Sequence, residues 1–389
     1  MRNEKPIPPA LLSVADPYPE WAEARRRCPV ETTSLLGMQS VRVLRHADVL
    51  AVLRDSERFS SEINHRTMGP YMGRIMLGMD GHRHSQYRSL ASRAFRAAAL
   101  ERWERELVRP TLDELVGAIA PLGRAELVRD VTSQYPVRVI AGIVGVPTAD
   151  HARFQAWAQE IAMGPADPER GVAASQAMRE YLRPFVEARR REPRDDLISD
   201  LVHAEIEGQR LDDEDVYGFL RLLMPAGAET TFRVMGNCLV ALLAHPEALA
   251  RLRRDPSLVP QAVEETLRWE TSITLVNRLA TRDSTIGGCP VAAGSSILLL
   301  TGSANRDEAR FEDPDAWDMD RPELPHLAFG WGRHLCLGMH LARLELRIGI
   351  ETLLARLPGL RLDPDAPPPR IVGSAFRGPE RLDVVFDPA

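Results

Sequence analysis

The chain has 389 residues, 44% of them hydrophobic, with 55 acidic against 49 basic side chains and a formal net charge of −6. A chain of this size can bury a large core, and its charge balance gives no overall attraction to nucleic acid. No stretch reaches the roughly 18 consecutive apolar residues of a membrane span, so neither a nucleic acid nor a membrane is expected as a partner.

The N-terminus shows no signal-peptide pattern, because Ala10-Leu11-Leu12 is too short for an apolar h-region, and a soluble cytoplasmic protein is expected. Proline clusters lie near the two ends, Pro6 to Pro19 and Pro364 to Pro369, and nothing repeats at a fixed period; a single domain over 1–389 is expected. The alternating Ser40-Val41-Arg42-Val43-Leu44 predicts a strand, followed by a helix over 47–55. Residues 69–81 read as a loop rich in large apolar side chains: Tyr71, Met72, Ile75, Met76, Leu77 and Met79. Helical periodicity covers 83–97, 98–120, 131–144, 149–161 and 173–190. A longer helix is predicted over Asp213–Ala244, opened by Asp212-Asp213-Glu214-Asp215, whose charge suits a helix N-terminus. Helices over Pro246–Arg254, 258–269 and 339–357 follow, with short β segments near 278–285, 296–300 and 382–386. The predicted fold class is mainly α with a small β portion.

Inside the long helix, Ala226-Gly227-Ala228-Glu229-Thr230-Thr231 is poor helix-interior material. Gly costs about 1 kcal/mol relative to Ala. Pro225, just before, removes a backbone donor and tends to kink a helix at roughly 3 kcal/mol. So much local cost points to a functional distortion, with a packing kink between crowded helices as the alternative. Of the four cysteines, none forms a C-x-x-C pair, so a structural zinc site is not expected and a reducing compartment is. Cys28, Cys238 and Cys289 read as structural or incidental. Cys336 stands apart, in Phe329-Gly330-Trp331-Gly332-Arg333-His334-Leu335-Cys336-Leu337-Gly338, directly ahead of the last long helix. A lone cysteine is more often a small buried hydrophobe. Here, the nearby helix N-terminus favours thiolate, and the glycines allow tight turns and leave room for a flat ligand. A thiolate presented in this way can hold haem iron.

The loop matches Phe-Gly-x-Gly-x-His-x-Cys-x-Gly, a coincidence on the order of one in 10⁵ at average residue usage, and on it the chain resembles the cytochrome P450 family. Further motifs follow in the family's order from Asp80 through Gly338. The resemblance implies a helix-rich triangular prism with a small sheet region, and a haem b whose iron is ligated axially by the Cys336 thiolate. Glu229 and Thr230 match the family's acid–alcohol pair, which supplies protons for cleaving dioxygen. Gly227 matches the position that opens a groove for dioxygen, whereas Pro225 stands where the family usually has an aliphatic residue. Glu265-Thr266-Leu267-Arg268 matches a buried ion network completed by Arg321, assigned to folding and haem retention. His84 and Arg88, one helical turn apart, Arg278 on a strand, and His334 match the partners of the haem propionates. Arg282 reads as a solvated surface residue. By position relative to these motifs, Ala226, Ile273, Thr274 and Phe376 are candidate substrate contacts in a mainly apolar pocket; 69–81 reads either as an ordinary hydrophobic core segment or as a mobile lid, the family having its loop over the substrate pocket here.

The activity so implied is a haem-thiolate monooxygenase that uses dioxygen to hydroxylate or epoxidise a small, mainly apolar organic substrate in secondary metabolism. Electrons are expected from ferredoxin and ferredoxin reductase on separate chains, since no C-x₄-C-x₂-C run is present. Arg83, Arg88, Arg93, Arg96, Arg343 and Arg347 would offer an acidic ferredoxin a positive face. Two other readings stay open: a haem-thiolate enzyme that uses peroxide, couples rings or rearranges its substrate, and a haem- or ligand-binding protein without turnover.

Overall fold

The computed structural model describes residues 16–388 apart from 36–37, 163, 165–166 and 323–324, so Ala10-Leu11-Leu12 and most of the Pro6–Pro19 cluster lie outside the described residues. In chain order, the elements that position the site are helix α1 (Tyr18–Arg27), strands β1 (Val30–Leu35) and β2 (Met38–Val43), helix α2 (His46–Arg54), strand β3 (Phe59–Ser60), helices α3 (Glu62–Met72), α4 (Gly81–Ala91), α5 (Asp213–Ala244) and α6 (Val259–Trp269), strands β4 (Val276–Ala280) and β5 (Ser296–Leu299), and helix α7 (Met339–Arg356). They belong to two compact units, one built from residues 1–63, 236–336 and 367–382, the other from 64–235, 337–366 and 383–389.

The first unit is organised by a five-stranded sheet in the order β1-β2-β5-β4-β3. β1 and β2 form an antiparallel hairpin, β5 lies parallel to β2 with Ile297 opposite Val41, and β4 runs antiparallel to β5 with Arg278 opposite Ile297. Strand alternation explains β2: Val43 is fully buried, while Arg42 faces the other way and pairs with Glu31 and Glu20. Val43, Ile297 and Leu299 from the sheet pack with Val49 and Val52 of α2 and with Phe59 into one apolar cluster. The second unit is mostly helical. Its small sheet joins Arg361–Leu362, Asp383–Val385 and Arg124–Glu126, all antiparallel.

Most predicted helices are present, and the departures have physical causes. Residues 69–72, expected as loop, are the last turn of α3, and a single 3₁₀ turn follows at Met76–Gly78. Pro70 is tolerated there because it lies in the last turn of the helix, where a missing N–H interrupts little of it. Tyr71, Met72, Ile75 and Met76 are buried. The helix expected over 83–97 stops at Ala91, and the one over 98–120 is broken by a π turn at Glu104–Val108. Pro110 offers no N–H to the Glu106 carbonyl at that point. Helices α1, the first part of α3, and Leu197–Val202 were not expected. α5 runs unbroken from Asp213 to Ala244 with Pro225 inside it.

Candidate functional site

In the first unit the cysteine loop is a pair of tight turns. Gly330 N–H donates to Leu327 O at 3.0 Å, Leu335 N–H to Gly332 O at 3.1 Å, and Cys336 N–H back to Phe329 O at 2.9 Å. Gly332 has φ +74°, and a Cβ there would come within 2.6 Å of the Leu53 carbonyl oxygen, so only glycine fits. Arg54 lies over the Trp331 ring, 5.5 Å from its centroid. Cys336 is exposed, whereas Cys238 is buried and burial pushes its thiol up to about 12; Cys28 and Cys289 are half-buried. Cys336 is thus the exposed cysteine of the four, at the end of a hydrogen-bonded turn. His334, two residues earlier, is half-buried in the turn Gly332–His334. Arg278 sits in the middle of β4, buried, its Nη1 donating to the Asn277 carbonyl at 2.7 Å.

The Glu265–Arg268–Arg321 network is present as expected. All five N–H groups of Arg268 are used: two on Glu265 at 2.8 and 2.7 Å, and three on the carbonyls of Asn305, Pro314 and Ala316. Arg321 Nε donates to Glu265 Oε1 at 3.1 Å, and its other nitrogens hold the Glu312, Asp313 and Ala316 carbonyls. The network ties α6 to the segment 312–321, which leads toward the cysteine loop.

Ile273 and Phe376, far apart in sequence, come together as an isolated antiparallel bridge, both half-buried. Thr274 is wholly buried and its hydroxyl donates to the Ser374 carbonyl. The Thr274 side chain, expected as a substrate contact, is thus spent on the main chain next to the Ile273–Phe376 bridge.

The second unit carries the remaining candidates. On α4, His84 is buried and Arg88, one turn later, half-buried. On α5, Ala226 is exposed, and Gly227 and Thr230 are half-buried on the same open stripe. A Cβ at Gly227 would press on Ile140 at 3.0 Å, so this glycine also serves helix packing. Thr230 Oγ1 donates to the Ala226 carbonyl at 2.9 Å. Glu229 turns away from it into the protein, 2% exposed. Its Oε2 accepts from Arg233 Nη2 at 3.1 Å, and its Oε1 has no hydrogen-bond partner among the described residues. Burial pushes the Glu229 carboxyl above the ordinary carboxylate range, with Arg233 and the Gln159 amide opposing. Arg233 was not singled out in the sequence, although Glu229-x-x-x-Arg233 has the i,i+4 spacing that would have pointed to it. Of the expected positive face, Arg83, Arg93 and Arg96 are exposed. Arg347 is already paired with Glu351 and Glu104.

The donor types fit a haem: an outward sulfur for iron, buried or half-buried arginine and histidine for its carboxylates, and a buried carboxyl with an orphaned oxygen on the helix that also carries the half-buried Thr230 hydroxyl. Among the described residues no cluster of His, Cys, Asp and Glu could hold a metal ion by itself, and no helix is long and apolar enough to cross a membrane.

Comparison with known proteins agrees. The family model for cytochrome P450 matches residues 161–376. The nocardicin C N-oxygenase of Nocardia uniformis subsp. tsuyamanensis is 40% identical over 389 residues, covering 95% of this chain and 96% of the relative. The mycinamicin IV hydroxylase/epoxidase of Micromonospora griseorubida is 37% identical over 362 residues, 90% of each chain. The structure of CYP109Q5 from Chondromyces apiculatus superimposes with a TM-score of 0.88 at 35% identity, covering 98% of this chain and 97% of that one. The likeness runs through sequence and fold alike over nearly the whole length: the chain belongs to the cytochrome P450 family of haem-dependent monooxygenases, whose haem b carries a cysteine thiolate on its iron.

Proposed function

We propose that this chain is a cytoplasmic, dioxygen-using monooxygenase that receives electrons from a ferredoxin and its reductase and oxidises a small, mainly apolar organic molecule in secondary metabolism. The observation that carries the reading is the acid–alcohol pair on α5, Glu229 with a buried orphaned oxygen and Thr230 on the open stripe. Relatives named as a nocardicin C N-oxygenase and a mycinamicin IV hydroxylase/epoxidase support the oxidation of an organic molecule; its apolar character rests on the expected contacts Ala226, Ile273 and Phe376.

Cys336 would hold the iron, and His84, Arg88, Arg278 and His334 would neutralise the haem propionates. Bound there, haem supplies dioxygen activation and the oxidising power for attack on a C–H or C=C bond. The chain's own task is to move protons and exclude bulk water. Glu229, kept away from solvent and held at Oε2 by Arg233, stores a proton beside its unpaired Oε1. Thr230, while donating to the Ala226 carbonyl, keeps its lone pairs for a proton arriving through water, and rotation of its hydroxyl passes that proton on. Ala226, Ile273 and Phe376 offer apolar surface to the substrate, with Thr274 tying the segment after Ile273 to the Ser374 carbonyl. Exposed Arg83, Arg93 and Arg96 give an acidic ferredoxin a place to dock.

Turnover driven by NADH, ferredoxin reductase and ferredoxin is expected to exceed turnover driven by hydrogen peroxide on the same substrate. Faster peroxide-driven turnover would instead assign the protein to the peroxide-using members of the family.

A further inference from the structure

Glu270 immediately follows α6 and precedes Thr271-Ser272-Ile273; Arg377 immediately follows Phe376. The two segments are clasped to each other by their main chains. Ile273 bridges Phe376, Thr274 N–H donates to Ala375 O at 3.0 Å, and Arg377 N–H to Ser272 O at 2.9 Å. Behind this clasp the side chains of Glu270 and Arg377 meet in the interior, 3% and 2% exposed. Arg377 Nε donates to Glu270 Oε1 at 2.7 Å and its Nη1 to Gly373 O at 2.6 Å.

Two further groups from distant parts of the chain close on the same carboxylate. The Tyr18 hydroxyl, from the first turn of α1, donates to Oε1 at 2.7 Å, and Arg306 Nη2 reaches Oε2 at 3.4 Å. Arg306 stacks on the Tyr18 ring with its guanidinium carbon 3.4 Å from the centroid, and its Nε holds the Trp269 carbonyl at 2.8 Å. Asn237 Nδ2 donates to the main-chain carbonyls of Glu270 at 2.9 Å and Arg377 at 3.3 Å. Two buried arginines and a tyrosine therefore share one carboxylate. Replacing buried ion pairs by apolar side chains of similar volume is often neutral or stabilising, so stability alone is a poor reason for burying so many charges. What the charges add is a fixed geometry, since each guanidinium donor has one acceptor direction.

We propose that Glu270, Arg377 and Tyr18 are positioning residues for substrate selection: by locking the clasp they hold Ile273 and Phe376 in the one relative placement that shapes the apolar wall against the substrate. The proposal rests on the reading of Ile273 and Phe376 as substrate contacts, and its test separates the two.

The holoenzyme is titrated with 1-methylimidazole and 1-octylimidazole. Both ligate haem iron through the same nitrogen, so the ratio of their dissociation constants reports the apolar wall and cancels changes at the iron. Phe376→Ala and Arg377→Met are each expected to lower that preference for the octyl chain by roughly threefold to tenfold. Tyr18→Phe, which removes one hydroxyl and keeps the ring, is expected to act in the same direction by less. Arg377→Lys, which returns the charge to Glu270, should recover part of the loss. Hydrogen exchange at the main-chain amides of residues 274 and 377 should speed up in the Arg377→Met and Tyr18→Phe proteins. If Phe376→Ala lowers the preference while Arg377→Met and Tyr18→Phe leave it unchanged, the positioning role is overturned and the contact stands. If Phe376→Ala and Ile273→Ala both leave it unchanged, the contact reading falls and takes the positioning role with it. Should Arg377→Met fail to fold, Tyr18→Phe decides the question alone.

Discussion

Glu229 and Thr230 are adjacent in sequence and point in different directions, about 100° apart around the helix. No hydrogen bond joins them among the described residues: the hydroxyl donates to Ala226 and the carboxyl meets Arg233. On the proposed route a proton would pass between them through water or a change of rotamer, and the Thr230 hydroxyl is the step expected to be most sensitive to substitution. Thr230→Ala is expected to lower product formed per NADH consumed by roughly tenfold or more, with little change in substrate affinity. Coupling equal to that of the unaltered enzyme would remove Thr230 from the proton route. The local cost of Gly227, Thr230 and Thr231 behind Pro225 marked this stretch as unusual, but only the family resemblance singled out Glu229 and Thr230 as a pair. The geometry of the pair was not legible, because residue identity at adjacent positions says nothing about which acceptors lie nearby.

Among the elements, the long helices were the most legible. α5 begins and ends where its acidic start and apolar periodicity place it, and α7 starts where the cysteine loop stops. What escaped were elements whose stability comes from distant contacts. α1 is fixed by Tyr18 on Glu270, 252 residues away, and the end of α3 contains a Gly-Pro pair that reads locally as a break. α7 also carries a group that no periodicity rule flags as unusual, Glu345. It is buried and burial pushes its carboxyl well above the ordinary range, so it stays protonated where an unfolded chain would ionise. The native state then holds more protons than the unfolded state, and the stabilisation is complete only below about pH 4.3, the unfolded value. It is lost as pH rises from there toward the folded value, by at most about 1.4 kcal/mol per pH unit. Glu345→Gln keeps the shape and removes the titration. Its melting temperature relative to the unaltered protein should rise between pH 5 and pH 8; a constant difference would mean that Glu345 ionises normally.

At the scale of the whole molecule, net charge and local charge oppose each other. The chain carries −6, which would repel the proposed acidic ferredoxin at long range, while exposed Arg83, Arg93 and Arg96 would attract it at close range. Docking should therefore depend on these side chains. Reversing one, as in Arg93→Glu, is expected to slow reduction by ferredoxin severalfold and to flatten its dependence on ionic strength between 0.1 and 1 M, over which the screening length falls from about 10 to about 3 Å. An unchanged rate would place the electron-transfer face elsewhere.

The central claim is that Cys336 is the axial thiolate of a haem b. The carbon monoxide complex of the reduced protein tests it most directly. The strongly red-shifted Soret band of thiolate ligation is expected for the unaltered chain and should be lost in Cys336→Ser while haem remains bound. A Cys336→Ser protein that kept the red-shifted band would contradict the assignment.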